Sequence, residues 1–521
     1  MKKDEIDYLV IGSGASGAAF SWKLSKNGAK VVCLEQGEFI DYDSYPKNKN
    51  TLEIDGFTKW NWNPNFRENK FDYPINNQNS PIHPLMYNSV GGSTIHWTAH
   101  TPRFHPSDFK VKTLDGVADD WPINYFDLEK YYDENDIMMG CSGISGDPAN
   151  PPRTTRPLPP VPLGDDGEIM AKAFDKLNWH WWPSDNYVDS NYFKNKWEFI
   201  GSHALMDRTS VSSTDNKYWP EAKKYGAKII SGSRVKKIIT NNEQRATGVE
   251  YIKNGKEISI NANNVVIACN AIGTARLLLM SSSRNHQNGL GNSSGLVGKN
   301  LMFHPYSFIR GRFEGENKFF NGPTANILMS QQFYETDKNR GFVRGFSLQM
   351  VRNHGPAMTA LELDWGENHH EQFSESFGNI LGFSIIAEDL PEEKNYISLD
   401  NRSKDSDGLP GVKINYELSE NSRKILDFAI EKTDEVLKEA GAKFTFNTPL
   451  MRQAGWHLMG TAKMGNNPEE SVVNKSGKMH DLENVYIVDG SLFVTSASVN
   501  PTPTIQAIAL MIADNLSKNG K

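Results

Sequence analysis

The chain has 521 residues, 38% hydrophobic and 23% charged, with a formal net charge of −7 at pH 7. That length admits two or three domains, or one large two-lobed enzyme. The acidic balance, without any dense Lys/Arg run, argues against a nucleic-acid partner, and no run of about eighteen apolar residues is present to span a membrane.

The chain enters its first predicted strand almost at once, with no room ahead of it for a secretory signal, so a cytoplasmic location is expected, or export alongside a signal-bearing partner. Residues 7–11 read as a short buried strand. Gly12-Ser13-Gly14-Ala15-Ser16-Gly17 follows directly, residues 18–25 read as a helix, and residues 30–34 as a strand ending at Glu35. This is the dinucleotide fingerprint in its strand–turn–helix–strand setting. Gly12 permits the tight turn, Gly14 lets backbone approach a pyrophosphate, and Gly17 lets helix pack on strand. Together with Ser16 they are candidate cofactor contacts at a helix N-terminus. Glu35 stands where a carboxylate accepts from a ribose hydroxyl and repels a 2′-phosphate, which disfavours NADP. The motif by itself does not separate FAD from NAD.

Residues 41–85 are rich in Asn, Pro, Asp and Tyr and read as a lid or an extended surface excursion. Tight backbone returns at Gly91-Gly92-Ser93-Thr94, and a helix is predicted over 125–138. Residues 147–163 are proline-rich and linker-like, and 164–215 are aromatic and irregular. Strands are predicted at 229–230, 235–240, 247–253, 256–260 and 265–268, the last a buried central strand, followed by a helix over 271–280. Residues 305–400 alternate as an antiparallel sheet does. An amphipathic helix covers 419–440, a strand lies near 484–490, and a helix closes the chain over 503–517. Val235 reads either as a backbone contact to adenine or as an ordinary core valine. Cys33, Cys141 and Cys269 form no CxxC or CxxCH spacing, which argues against an iron–sulfur cluster, a c-type haem or a disulfide framework. No metal site is expected. The pattern predicts an α/β plus α+β architecture. One discontinuous nucleotide domain combines 1–150, 216–306 and 451–521. A second domain, 151–215 with 307–450, is built on an antiparallel sheet covered by helices.

Four separated segments, in order, resemble the glucose–methanol–choline (GMC) oxidoreductase family of FAD enzymes. They are Gly12–Gly17 with Glu35, Gly91-Gly92-Ser93-Thr94, His457-Leu458-Met459-Gly460-Thr461 and Asn500-Pro501-Thr502-Pro503-Thr504. Weaker echoes are Trp121-Pro122-Ile123, Gly273 to Leu278, and Val297 to Leu301 followed by His304-Pro305. The resemblance spans residues 5–518 and is weakest over 310–450. It implies FAD, a Rossmann-like domain with a central parallel sheet, and contacts to the cofactor from Gly91, Gly92, Ser93, Asp489, Gly490 and Thr502. Residues 93–104 are similar to the flavin-attachment loop of the pyranose oxidase and C-glycoside oxidase branch. That similarity implies a covalent link through His96, with Thr98 beside the flavin's reactive edge. The loop is also similar to that of glucose, gluconate and sorbitol dehydrogenase subunits, but the cysteine cluster of the glucose-dehydrogenase relatives is absent from 200–215.

Removing a hydroxyl proton near neutral pH suits an imidazole, and His457 matches the family's base. Asn500 matches the partner that aims the substrate. Gly455 and Gly460 are expected to let backbone approach the flavin face, and His304 to pack or touch the cofactor. Trp456 either packs or stacks on a sugar. The implied reaction is oxidation of a secondary ring hydroxyl of a sugar or glycoside to a ketone at carbon 2 or 3, with electrons passing to O2 or another acceptor. The rivals are a sugar, polyol or sugar-acid dehydrogenase serving a quinone or cytochrome, and a flavin-containing lyase. The exact substrate, the acceptor, the flavin linkage and any homo-oligomer stay open.

Overall fold

The computed structural model of the protein describes residues 5–41, 60–195, 210–242, 244–322, 327–352 and 355–519. Residues 42–59 of the expected lid and 196–209 of the aromatic 164–215 stretch therefore lie outside the described residues.

A five-stranded parallel sheet has the order Val485–Ile487, Asn264–Ile267, Tyr8–Ile11, Val31–Leu34, Lys228–Ile230. Its inner strands are short, mostly apolar runs, as burial on both faces demands, while the edge strand Lys228–Ile230 is partly exposed. Tyr8–Ile11 is central, and the helices Ala15–Lys26 and Thr502–Asn519 pack against one another beside it. The first and last helices of the chain thus form one layer.

A second, mixed-length sheet of six strands runs Phe444–Thr448, Tyr306–Arg312, Ile380–Ala387, Phe346–Arg352, Leu328–Ser330, Trp182–Pro183, all antiparallel. The helix Glu420–Glu439 covers one face with Ile425, Leu426, Ala429, Val436 and Leu437. Its N-terminus is capped by Ser419, whose hydroxyl accepts from the Ser422 N–H at 2.9 Å. Alternation divides each strand between two environments. Phe346, Leu348 and Met350 face the apolar core with Ile309, Phe383 and Ile385. Their neighbours Gln349, Val351, Arg310 and Ser384 face a cavity.

One segment departs from the sequence reading. Residues 164–215 were expected to be irregular, yet Gly164–Leu177 is a 14-residue helix. Its apolar positions, Ile169, Met170, Ala173, Phe174 and Leu177, recur at helical spacing, but the proline-rich run before it and the tryptophans after it obscure the period. Among the described residues, no helix is long and apolar enough to cross a membrane.

Candidate active site

A cavity of about 740 Å³ lies where the C-terminal ends of the parallel strands meet the antiparallel sheet, the usual place for a ligand in an open α/β sheet. One group of lining residues comes from the nucleotide fingerprint: Gly12, Gly14, Ser16, Glu35 and Val235. Gly14 is the N-cap of the first helix, and no side chain caps it, so the first-turn N–H groups remain available to an anion. A methyl group on Gly14 would meet nothing in the protein closer than the Gly92 Cα at 3.7 Å, whereas one on Gly17 would lie 2.0 Å from the Gly12 carbonyl oxygen. Gly17 is thus a packing glycine and Gly14 a space-leaving one. Glu35 is buried, and its carboxylate accepts from the Ser13 N–H at 2.9 Å, the Ser13 hydroxyl at 2.7 Å and the Gly37 N–H at 2.9 Å. Burial raises its pKa while these donors pull it back.

The lining also includes Gly92, Ser93, His96 and Thr98 from the second glycine segment, and Asp489, Gly490 and Thr502 from the C-terminal one. His96 is packed against Tyr87, ring centroids 4.1 Å apart. Asp489 accepts from the Thr274 hydroxyl at 2.6 Å. Gly17 and Gly91 do not line the cavity. Gly91 instead turns the chain at φ +101°, and its carbonyl accepts from the Thr94 and Thr214 hydroxyls.

His457 and Asn500 line the same cavity. An isolated antiparallel bridge pairs Met302 with Met459, and two residues along in each direction this register sets His304 opposite His457. Their Nδ1 atoms are 2.7 Å apart. His304 is fully buried, and its Nε2 lies 3.1 Å from the Ser496 carbonyl oxygen and 2.9 Å from that of Ala497. Carbonyls only accept, so His304 Nε2 carries the proton. Burial pushes the His304 pKa down to about 4, so near pH 7 its Nδ1 is a bare acceptor. His457 Nδ1–H therefore donates to it, and His457 Nε2 keeps a lone pair. Burial, with the His304 and His100 imidazoles nearby, holds the His457 pKa well below its usual value. Ala497 sits in the left-handed region at φ +58°, a conformation that costs a non-glycine residue about 1–3 kcal/mol and that helps aim two successive carbonyls at one ring nitrogen.

The Asn500 side-chain oxygen accepts from His100 Nδ1 at 3.0 Å and from Gln349 Nε2 at 2.6 Å. Its amide nitrogen is left to donate. His100 and Gln349 escaped the sequence reading because nothing local links them to Asn500.

One expectation needs correction. Gly455 and Gly460 were expected to let backbone approach the flavin face, but neither lines the cavity. A side chain on Gly455 would strike the His83 carbonyl oxygen at 2.4 Å, and one on Gly460 that of Asn300 at 2.0 Å, so both serve contact between protein segments. His304, expected to pack or to touch the cofactor, does not line the cavity and packs behind His457. Trp456 lines the cavity and is 37% exposed, edge-on to Tyr306 at 5.1 Å.

Residues 166–306 and 391–509 match the N- and C-terminal models of the GMC oxidoreductase family, and residues 10–69 match a NAD(P)-binding Rossmann-like domain. The chain is 42% identical to the 2-methyl-1,2-propanediol dehydrogenase of Mycolicibacterium austroafricanum over 535 residues, covering 99% of this chain and 96% of that protein. It is 27% identical to the fructose dehydrogenase large subunit of Gluconobacter japonicus, with 98% and 97% covered. Pyridoxine 4-oxidase of Mesorbium loti shares the fold, with a TM-score of 0.66 at 14% identity over 98% of this chain and 99% of that one.

Proposed function

The chain belongs to the GMC oxidoreductase family, an FAD-binding family of enzymes acting on CH–OH groups, and on that premise we propose that it oxidises a hydroxyl-bearing carbon of a polyhydroxylated small molecule with His457 as the base. The observation that carries this reading is the 2.7 Å approach of His457 Nδ1 to His304 Nδ1, with His304 Nε2 facing two carbonyl oxygens: carbonyls only accept, so the His457 Nδ1 proton goes to His304 and the lone pair stays on Nε2 of a residue that shares a cavity wall with Asn500.

The residues present fit FAD. The uncapped helix at Gly14 suits a pyrophosphate, and Glu35 and Val235 stand beside it for a nucleoside. When bound, the flavin supplies the acceptor for the hydride. The chain's own residues do the rest. Asn500, held by His100 and Gln349, donates its amide N–H to the substrate oxygen and sets the direction of the C–H bond. His457 Nε2 takes the hydroxyl proton, and His304 Nδ1 steadies the imidazolium that results. We include the covalent link through His96 in the proposal, since His96 is held by Tyr87 on the same wall as Thr98. Acid-precipitated protein should then keep its flavin fluorescence, and His96→Ala should release it.

For the substrate, the wall combines Gln349, Ser384, Arg310 and Thr448 with Trp456 and Tyr306, a polar and aromatic mixture suited to several hydroxyls. A sugar or glycoside substrate is supported by the fructose dehydrogenase relative, and a ring hydroxyl at carbon 2 or 3 is the position we propose for it. A small 1,2-diol is supported by the relative at 42% identity, whose name also supports an electron acceptor other than dioxygen. The deciding experiment is an anaerobic panel of sugars, glycosides, diols and simple alcohols, with bleaching of the flavin absorbance as the readout and the product carbonyl located by NMR. If no alcohol bleaches the flavin, the reading fails and the lyase takes its place. Slow reoxidation in air-saturated buffer would remove the oxidase variant.

A further inference from the structure

His304 fixes the tautomer of His457 only while its own Nε2–H meets the Ser496 and Ala497 carbonyls. Those carbonyls are in turn held by a contact on another side of the loop. The Ser496 hydroxyl accepts from the Asp389 N–H at 2.9 Å. Its own proton has two acceptors within reach, the Asp389 carbonyl oxygen at 2.9 Å and that of Ala497 at 3.0 Å. Asp389 lies just past the end of the strand Ile380–Ala387, where its N–H and C=O have left the ladder and are available to a side chain. The Asp389 carboxylate reaches the other half of the pair. It accepts from the Phe303 N–H at 3.3 Å, and it is steadied by the Tyr416 hydroxyl at 2.7 Å and the Ser422 hydroxyl at 3.1 Å. Phe303 immediately precedes His304. One residue therefore ties down both the backbone that carries the His304 ring and the loop that receives its proton. His304, Asp389 and Ser496 are all fully buried. The far end of the loop is fastened separately: the Ser347 hydroxyl donates to the Ser498 carbonyl at 2.6 Å, and the Ser498 hydroxyl donates to that of Gly345 at 3.0 Å. Asn500, gripped by His100 and Gln349, thus keeps its place without Ser496.

We propose that Ser496 is a positioning residue for proton transfer: its hydroxyl clamps the 496–497 carbonyls to Asp389 and so keeps the His304 proton on Nε2 and the His457 lone pair on Nε2. A neutral imidazole carries one proton, and the hydrogen bond made by one nitrogen sets the role of the other. With the carbonyls out of place, His304 loses its reason to hold the proton on Nε2. In the other tautomer His304 Nδ1–H donates to His457 Nδ1, and the His457 proton moves to Nε2. An imidazole protonated there has no lone pair on that atom to take a hydroxyl proton. The kinetic consequence rests on the alcohol-oxidation reading above; the tautomers do not.

The test uses flavin-loaded protein labelled with ¹⁵N-histidine. Long-range ¹H–¹⁵N correlations report which nitrogen of each ring is protonated, and the His304→Gln and His457→Ala variants assign the two rings by loss of signal. The wild type should show Nε2–H for His304 and Nδ1–H for His457. Ser496→Ala should show the opposite tautomers in part or in full. Its limiting rate of anaerobic flavin bleaching, with the alcohol that bleaches the wild type fastest, should fall about tenfold, the equivalent of one hydrogen bond, at a nearly unchanged half-saturating concentration. Ser496→Thr keeps the hydroxyl and should bring signals and rate back toward the wild type. Wild-type ring signals in Ser496→Ala overturn the proposal, whatever the thermal midpoint does, because a residue that only braces the fold would leave the tautomers alone. Should that variant fail to fold, the wild type decides by itself: Nδ1–H on His304 also overturns the proposal. A wild type whose flavin no alcohol bleaches would bring down the alcohol-oxidation reading, while the ring signals still decide the clamp.

Discussion

The Nδ1 atoms of His304 and His457 face each other across 2.7 Å, and one proton lies between them. The two carbonyls beyond His304 decide on which ring it resides. A hydrogen-bonded line thus runs from the backbone at 496–497, through two imidazoles, to the cavity. Asn500 follows three residues after that backbone, so the base and its partner are set by the same short loop.

His304→Leu should lower kcat by roughly 10²-fold, the lower range for a general base, while KM moves little. The leucine leaves His457 Nδ1–H without an acceptor and frees the ring to adopt the other tautomer. His304→Gln offers an amide oxygen in place of Nδ1 and should recover part of the loss. Steady-state kinetics on the two variants checks this, and equal activity in both would show that His304 only fills space.

His457→Ala should reduce kcat by roughly 10²–10⁴-fold at pH 7. Flavin content and thermal midpoint should stay near the wild type, because the residue faces a cavity. Loss of flavin together with activity would assign His457 to cofactor binding instead.

The acid limb of kcat/KM should fall below pH 6.5. The neutral form of His457 is the active base, and burial holds its pKa well under the usual 6.5. As pH drops through 6.5 the ring therefore stays unprotonated, and activity declines only on further acidification. A limb at or above 6.5 in a pH–rate profile would point to a different base.

Gly14→Ala and Gly17→Ala should part company. At Gly14 an added methyl has ordinary contacts within the protein, so the variant should fold with a normal circular dichroism spectrum. It should bind FAD about tenfold more weakly or worse, the equivalent of one lost hydrogen bond, because the methyl occupies cofactor space. At Gly17 the methyl would overlap the Gly12 carbonyl, and the variant should fail to accumulate as folded protein. FAD titration followed by flavin fluorescence reads the first effect, and soluble yield the second.

Some of this was legible in the residues alone. Tyr8–Ile11 and Asn264–Ile267 are short apolar runs next to glycine or a predicted helix, so both their strand character and their place inside a parallel sheet could be read locally. Helix Glu420–Glu439 announces itself by its period and by Ser419. Gly164–Leu177 did not, because its period is short and its flanks misleading. The strands Leu328–Ser330 and Trp182–Pro183 are too brief to stand out and exist only because a neighbour pairs with them.

By itself the chain determined a nucleotide fingerprint, the order of the glycine and histidine motifs, and membership in a family of alcohol-oxidising flavoenzymes, since each depends on residues close together along the backbone. Only tertiary structure decided which nitrogen of His457 is free, that His304 stands behind it, and that His100 and Gln349 grip Asn500. Those contacts join residues 151 to 400 positions apart. A hydrogen bond is directional over about 3 Å, and nothing in local sequence specifies geometry between segments so distant.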